Sequence, residues 1–239
     1  MSQINPYNNT ENKKDQVTKM FNNIAKSYDV LNHSLSLGMD NVWRKIAIKK
    51  LTNNPSSILD IATGTADFAI TASKYTKAQI IGIDISQGML DIGIQKITKK
   101  GLSDRINLQL ADSEDLTFDD NSFDALTAGF GVRNFQDLNK GLSEMNRVLK
   151  SAGILVILEP ASPTTFPLKQ FYNLYFHYIL PFIGKIISKD RDAYTYLPNS
   201  VSAFPSGKKF LSELHKAGFK DCKHIPLTFG IVSLYIAIK

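Results

Sequence analysis

The chain has 239 residues, 43% hydrophobic and 21% charged, enough for one α/β domain with a full core and without the acidic or Gln-rich tracts of a disordered protein. Its 28 Lys and Arg against 22 Asp and Glu give a net charge of +6, scattered in pairs such as Lys13–Lys14, Lys49–Lys50, Lys99–Lys100 and Lys208–Lys209. Such pairs read as solvated surface, compatible with weak attraction to an anionic membrane, and argue against the concentrated basic stripe of a nucleic-acid binder.

The first ten residues are polar and show neither the regions of a secretory signal nor the Arg-rich pattern of a transit peptide. From 13 to 28, Val17, Met20, Phe21, Ile24, Ala25 and Tyr28 recur at helical spacing, which predicts an amphipathic covering helix. Asp29 to Asp40 reads as irregular, Gly38 as a stop, and a second helix runs from about Asn41 to Leu51 before Asn53-Asn54-Pro55. Strands then alternate with helices: Ser57–Ile61, helix 66–75, Gln79–Asp84, helix 88–100, Ile106–Leu110, Phe123–Gly129, helix 137–150 and Gly153–Glu159. Apolar strands bounded by amphipathic helices predict a parallel sheet covered on both faces.

Past this core the rhythm breaks. Phe166, Phe171, Tyr172, Tyr175, Phe176, Tyr178 and Phe182 crowd into seventeen positions. The uncharged run Gln170–Gly184 is too short, and too interrupted by Asn173, His177 and Pro181, to span a bilayer. An aromatic cover forming a substrate pocket that touches membrane is the favoured reading, and an ordinary core helix the alternative. A helix at 207–217, a strand at 219–225 and a strand at Ile231–Ile238 end the chain. The link Pro226–Gly230 is too short for a parallel crossover, so the last strand must run antiparallel to its neighbour. One domain over 1–239 is expected: helical cover 13–51, cofactor-binding core 52–159, aromatic cover 160–206, closing helix and hairpin 207–239.

The segment Ile58-Leu59-Asp60-Ile61-Ala62-Thr63-Gly64-Thr65-Ala66-Asp67 sits where the first strand meets its helix, at the strand end where open α/β sheets bind ligands. Its small residues allow close backbone approach, and Gly64 tolerates positive φ. Asp84 ends the second strand, where a carboxylate can accept from both ribose hydroxyls, and Asp112 with Ser113 follows the third, beside an adenine. Either acid can alternatively be a helix cap or turn former. A dinucleotide would want Gly-x-Gly-x-x-Gly, and Asp67 at the helix start would repel a pyrophosphate. S-adenosylmethionine carries an ammonium and a sulfonium instead, which suits Asp60 or Asp67, with Asp60 also a candidate for holding the loop.

Together these segments resemble the ubiquinone/menaquinone biosynthesis C-methyltransferases. The resemblance runs from about Val17 to the C-terminus and rests on Met20-Phe21-x-x-Ile24-Ala25-x-x-Tyr28-Asp29-x-Leu31-Asn32, Ser36-Leu37-Gly38-x-Asp40, Trp43-Arg44, Asp60 to Asp67, Asp84-Ile85-Ser86-x-x-Met89-Leu90 and Phe130-Gly131-Val132-Arg133-Asn134. It implies a class I methyltransferase fold, a Rossmann-like seven-stranded sheet with an antiparallel C-terminal hairpin. It also implies S-adenosylmethionine contacts at Thr65, Asp84, Asp112 and Ser113, with Gly129 where the family often has serine and Asp112 where asparagine is commoner. The implied reaction is C-methylation of a prenylated quinol; the Ala-Thr-Gly-Thr-Ala-Asp form of the loop looks more like the menaquinone branch, so demethylmenaquinol is favoured over a benzoquinol.

For chemistry, Arg133 is the candidate to stabilise a developing phenolate or orient a base water, and a structural Arg tying the loop to a helix-end carboxylate is the competing role. Asn134 would hold Arg133 or a quinol oxygen. His33 is a candidate base in a segment folding over the site, with a bystander histidine the competing role. The single Cys222 fits a reducing compartment and is read as a bystander, and four scattered histidines predict no metal site. The expected location is cytoplasmic, at the inner face of the cytoplasmic membrane if peripheral contact forms; a homodimer is left open. The rivals are an O- or N-methyltransferase of the same fold, a non-catalytic subunit that retains cofactor binding, and an NAD-dependent oxidoreductase.

Overall fold

A computed structural model describes residues 4–7, 9–163, 166–174 and 191–239. Helix α1 (Lys13–Leu35) starts where Asn12 accepts from the Asp15 amide, and α2 (Met39–Ile48) follows a left-handed Gly38. The alternating core is β1 (Ser57–Ile61), α3 (Asp67–Tyr75), β2 (Gln79–Asp84), α4 (Gln87–Lys99), β3 (Ile106–Leu110), β4 (Phe123–Gly129), α5 (Leu138–Val148) and β5 (Leu149–Pro160). After it come α6 (Leu168–Leu174), α7 (Arg191–Ala203), α8 (Lys208–Lys216), β6 (Lys220–Leu227) and β7 (Val232–Ile238).

The seven strands form one sheet in the order β3-β2-β1-β4-β5-β7-β6. Strands β1 to β5 are parallel, and β7 runs antiparallel to both β5 and β6, as the short final link required. Strand order reverses between β1 and β4, so the loops after those two strands diverge and open a crevice at the carboxyl edge. One core packs Trp43, Ala47, Phe68, Ile70 and Ile80 against one sheet face, and another packs Leu142, Met145, Phe210 and Tyr235 against the other.

Three boundaries depart from expectation. The stretch Asp29–Asp40 is not irregular: α1 continues to Leu35, because Leu31 is buried and Asp29 is held by Thr65 and Lys96 from elsewhere in the fold. Strand β5 begins at Leu149, four residues before the apolar run, since Leu149 pairs with Phe123 on β4. Pro226 lies inside β6, paired with Ser233, which an outermost strand tolerates because its missing N–H leaves no inner ladder broken. Among the predicted aromatic cover, Tyr172 is buried and Phe166 is exposed, while Tyr175, Phe176, Tyr178 and Phe182 lie outside the described residues. Among the described residues, no helix is long and apolar enough to cross a membrane.

Candidate active site

Two clefts open at the carboxyl edge, of about 620 Å3 and about 340 Å3. They share Tyr28, Ala62, Gly64, Gly129 and Phe130 in their walls, and so lie side by side as a two-part trough over the ends of β1 and β4. The larger cleft adds Asp84, Ile85, Met89, Asp112, Ser113 and Asn134; the smaller adds Arg44, Asp60, Thr65 and Asp67. Helix α1 roofs the trough with Val17, Phe21 and Tyr28.

The floor is a carboxylate scaffold. Asp60 is fully buried and accepts from the Thr63 and Thr127 hydroxyls, each at 2.6 Å. Burial pushes its acid up to about 6 against those hydrogen bonds. Asp60 therefore ties the loop after β1 to β4, the loop-holding role. Asp84 Oδ2 accepts from the Gly64 amide and Oδ1 from the Ser86 amide, both at 2.8 Å. Burial likewise raises its acid to about 6. Each oxygen keeps a lone pair, so a diol at the cleft can still be accepted by both.

Asp112 stands at the far end of the larger cleft, where Oδ1 accepts from the Glu114 amide at 2.9 Å and Oδ2 from Lys14 Nζ at 2.5 Å. It is thus a turn former and a cleft wall at once. Lys14 also lies 3.1 Å from Glu114, and neighbouring Lys13 donates to the carbonyls of Arg133 and Phe135, so the start of α1 is pinned across the opening. Ser113 and Gly129 line the cleft as expected. A Cβ at Gly129 would stand 2.8 Å from Phe68 Cδ1, so the Phe68 ring fills the place of a serine side chain. Gly131 is tighter, its Cβ falling 2.5 Å from Ala62 Cβ.

Thr65, Asp67 and His33 turn away from the larger cleft. The Thr65 hydroxyl donates to Asp29 at 2.5 Å, and Lys96 on α4 reaches Asp29 at 2.8 Å, Thr65 at 3.2 Å and Asp67. His33 Nδ1 lies 2.7 Å from Asp40 and Nε2 3.6 Å from Asp67, and Arg44 bridges the same two acids. Asp67 is therefore largely neutralised by its neighbours, so the sequence argument that it would repel a pyrophosphate loses its force. His33, Asp40 and Asp67 are the one cluster with metal-ligand spacing among the described residues, but the Arg44 cation bonded between its two acids opposes a second cation there.

Arg133 follows β4 on a short 3-10 turn, Val132–Asn134. Its guanidinium donates to the Phe130 carbonyl and, at 3.0 Å, to Glu159 at the end of β5. Glu159 is fully buried, and burial raises its acid. Arg133 is tied to a carboxylate, but at the end of a strand and not of a helix as expected, and the last letter of the run Gly-Ile-Leu-Val-Ile-Leu-Glu was its only signal. Arg133 Nε is buried with no hydrogen-bond partner among the described residues. Its charge opposes the burial that raises the phenols of Tyr28, Tyr172 and Tyr196. Asn134 lines the cleft and accepts from Tyr196 at 3.0 Å. Sequence reasoning missed Lys14, Lys96 and Glu159, whose partners lie far off in the chain, and Arg44, which pairs with Asp40 one turn back and reaches Asp67 on α3.

Comparison with known proteins settles the family. The model of the ubiE/COQ5 methyltransferase family matches residues 9–239. The chain belongs to that family. Within it, the chain is 50% identical to a demethylmenaquinone methyltransferase of Bacteroides fragilis over 99% of this chain and 97% of that protein. It is 42% identical to a demethylmenaquinone methyltransferase of Porphyromonas gingivalis (99% and 98%), and 45% to a ubiquinone/menaquinone biosynthesis C-methyltransferase UbiE of a Geobacter species (95% and 97%). The ubiE/COQ5 chain shares its fold with the [4+2]-cyclase SpnF, at TM-score 0.68 and 18% identity over 100% and 99% of the two chains. It also resembles phosphoethanolamine N-methyltransferase 2 of Haemonchus contortus, at TM-score 0.61 and 16% identity over 83% and 52%.

Proposed function

We propose that the chain transfers a methyl group from S-adenosylmethionine to a ring carbon of demethylmenaquinol. One observation carries this reading: two clefts that share five wall residues set a diol-and-base end, walled by Asp84, Asp112 and Ser113, beside an amino-acid end walled by Asp60, Asp67 and Arg44. A nucleoside linked to a zwitterionic amino acid matches that sequence of walls. The relatives named for demethylmenaquinone favour the naphthoquinol over the benzoquinol.

Bound S-adenosylmethionine supplies an electrophilic methyl on its sulfonium. Asp84 would accept from the ribose hydroxyls and Asp112 from the adenine amino group, with Ile85, Met89 and Ser113 lining the place of the ring. Gly64 and Gly129 let backbone approach the place where the two clefts meet, Thr65 and Asp60 hold the loop from behind, and Arg44 and Asp67 meet the carboxylate and ammonium. Asn134 holds the acceptor's ring oxygen. Arg133, fixed by Glu159 in a buried setting, lowers the energy of the phenolate that makes the neighbouring carbon nucleophilic, and the phenol proton leaves to water. Tyr28, on the wall between the two ends, packs against the reacting groups.

The acceptor's isoprenoid tail resides in a bilayer, so the reaction runs at the cytoplasmic face of the membrane, with peripheral contact. The test offers the purified protein demethylmenaquinol and its benzoquinol counterpart in competition. A kcat/KM at least roughly tenfold higher for the naphthoquinol is expected, the discrimination a shape-fitted apolar pocket can supply. Equal or reversed preference would move the assignment to the benzoquinol.

A further inference from the structure

Two of the most exposed apolar side chains stand on backbone that L-residues rarely adopt. Leu37, between α1 and α2, is 89% exposed at φ +51°; Phe229, in the 3-10 turn Thr228–Gly230, is 77% exposed at φ +57° and follows Thr228 at φ +46°. Water-facing turns of this kind are ordinarily filled by Gly or Asn, which relieve the strain and show water nothing apolar. Here strain and exposed hydrocarbon coincide twice, and folding accounts for neither.

Both residues belong to one corner of the molecule. The Trp43 indole N–H donates to Thr228 Oγ1 at 2.8 Å, fastening α2 to the tip that carries Phe229. Val42, 44% exposed, precedes Trp43, and Leu37 lies two residues before the first turn of the same helix. Val232 pairs with Pro160, so the tip is at the carboxyl edge of the sheet. Trp43 also meets Phe130, a wall of both clefts, edge-on at 6.3 Å, which makes the corner continuous with the trough.

The exposed charge of α2 and of the second half of α1 is of one sign. Between residues 19 and 50 the exposed ionisable side chains are Lys19, Lys26, Lys45 and Lys49. The two carboxylates of that stretch are turned inward, Asp29 onto Lys96 and Asp40 onto Arg44. Apolar side chains beside uncompensated lysines suit a surface with a hydrocarbon interior and anionic headgroups.

We propose that this corner, with Leu37, Val42 and Phe229 as inserting side chains, docks the protein on anionic lipid bilayer beside the mouth of the trough. The inference rests on the reading that the acceptor is a membrane-resident prenylated quinol. It is tested by capturing the full-length protein on vesicles of phosphatidylglycerol with phosphatidylcholine, against phosphatidylcholine alone. Trp43, the chain's one tryptophan, reports the contact site through quenching by brominated acyl chains. Capture should need phosphatidylglycerol, weaken with salt and be accompanied by Trp43 quenching.

The double variant L37N/F229N, whose asparagines suit left-handed backbone, should bind roughly tenfold or more weakly while methylating a tail-less quinol at the parental rate. The charge variant K26E/K45E/K49E should lose the phosphatidylglycerol dependence with the same soluble turnover. Parental capture of either variant, or no capture of the parent, would overturn the proposal. So would a dimer in solution that the double variant abolishes without any vesicle binding, since the face would then belong to a second copy. If the parent docks as described but methylates no quinol, the substrate reading fails and the docking surface stands.

Discussion

Asp84 is a buried acid whose two oxygens are each already committed to one backbone amide. With its acid raised to about 6 by burial, it is ionised above that pH and neutral below it. In the proposed binding mode the ionised form accepts from ribose hydroxyls at both oxygens, so affinity for S-adenosylmethionine should fall as pH drops through about 6, and Asp84→Asn should bind more weakly with a flatter profile. Calorimetric titration across that range checks it; an unchanged affinity in the parent would remove Asp84 from the cofactor. Arg133 makes a different case. Arg133→Ala should lower turnover at least roughly tenfold with cofactor affinity nearly unchanged. It also strands Glu159 without its cation, at a cost of about 3–5 kcal/mol of stability. Glu159→Gln is the informative partner: it should leave the fold intact and lower kcat more than it alters the KM for cofactor. Full activity in Glu159→Gln would reduce Glu159 to packing. Asp84 and Asp112 were legible as cleft residues because the first ends a strand and the second follows one by two residues. Thr65 and Asp67 line the smaller cleft, and their partners Asp29 and Lys96 arrive from α1 and α4 and leave no local mark in the sequence.

Helix α1 is the element that turns an open crevice into a roofed one. Its apolar face was readable from spacing, but its continuation through Asp29 to Leu35 depended on contacts to α4 and the loop after β1, which periodicity does not carry. Against this roof the loops after β1 and β4 must approach each other closely. Gly131→Ala would place a methyl 2.5 Å from Ala62 Cβ, so it should cost about 1–3 kcal/mol and weaken cofactor binding. Gly64→Ala meets nothing within 4 Å and suffers only from φ +55°, so it should cost about 1–2 kcal/mol. Denaturant melts of the two variants with and without cofactor separate collision from strain; a Gly131→Ala protein that binds as the parent does would show that the two loops have room to part.

Across the whole molecule, the parallel half of the sheet was evident from alternating strands and helices, and the antiparallel end from a link too short to cross over. The described structure agrees on both, in the order β3-β2-β1-β4-β5-β7-β6. Because the trough draws walls from α1, α2 and the loops after four strands, a ligand seated there stabilises the native state as a unit. At about a hundredfold excess over Kd, S-adenosylmethionine should add about 2.7 kcal/mol, raising Tm by roughly 5–10 °C in a chain of this size. Asp84→Ala should abolish most of that shift. The most direct measurement follows a labelled methyl group from S-adenosylmethionine into demethylmenaquinol with the purified protein and locates it by NMR. Label on the naphthoquinol ring carbon is the predicted result; label on a ring oxygen, or none transferred while the cofactor binds, would contradict it.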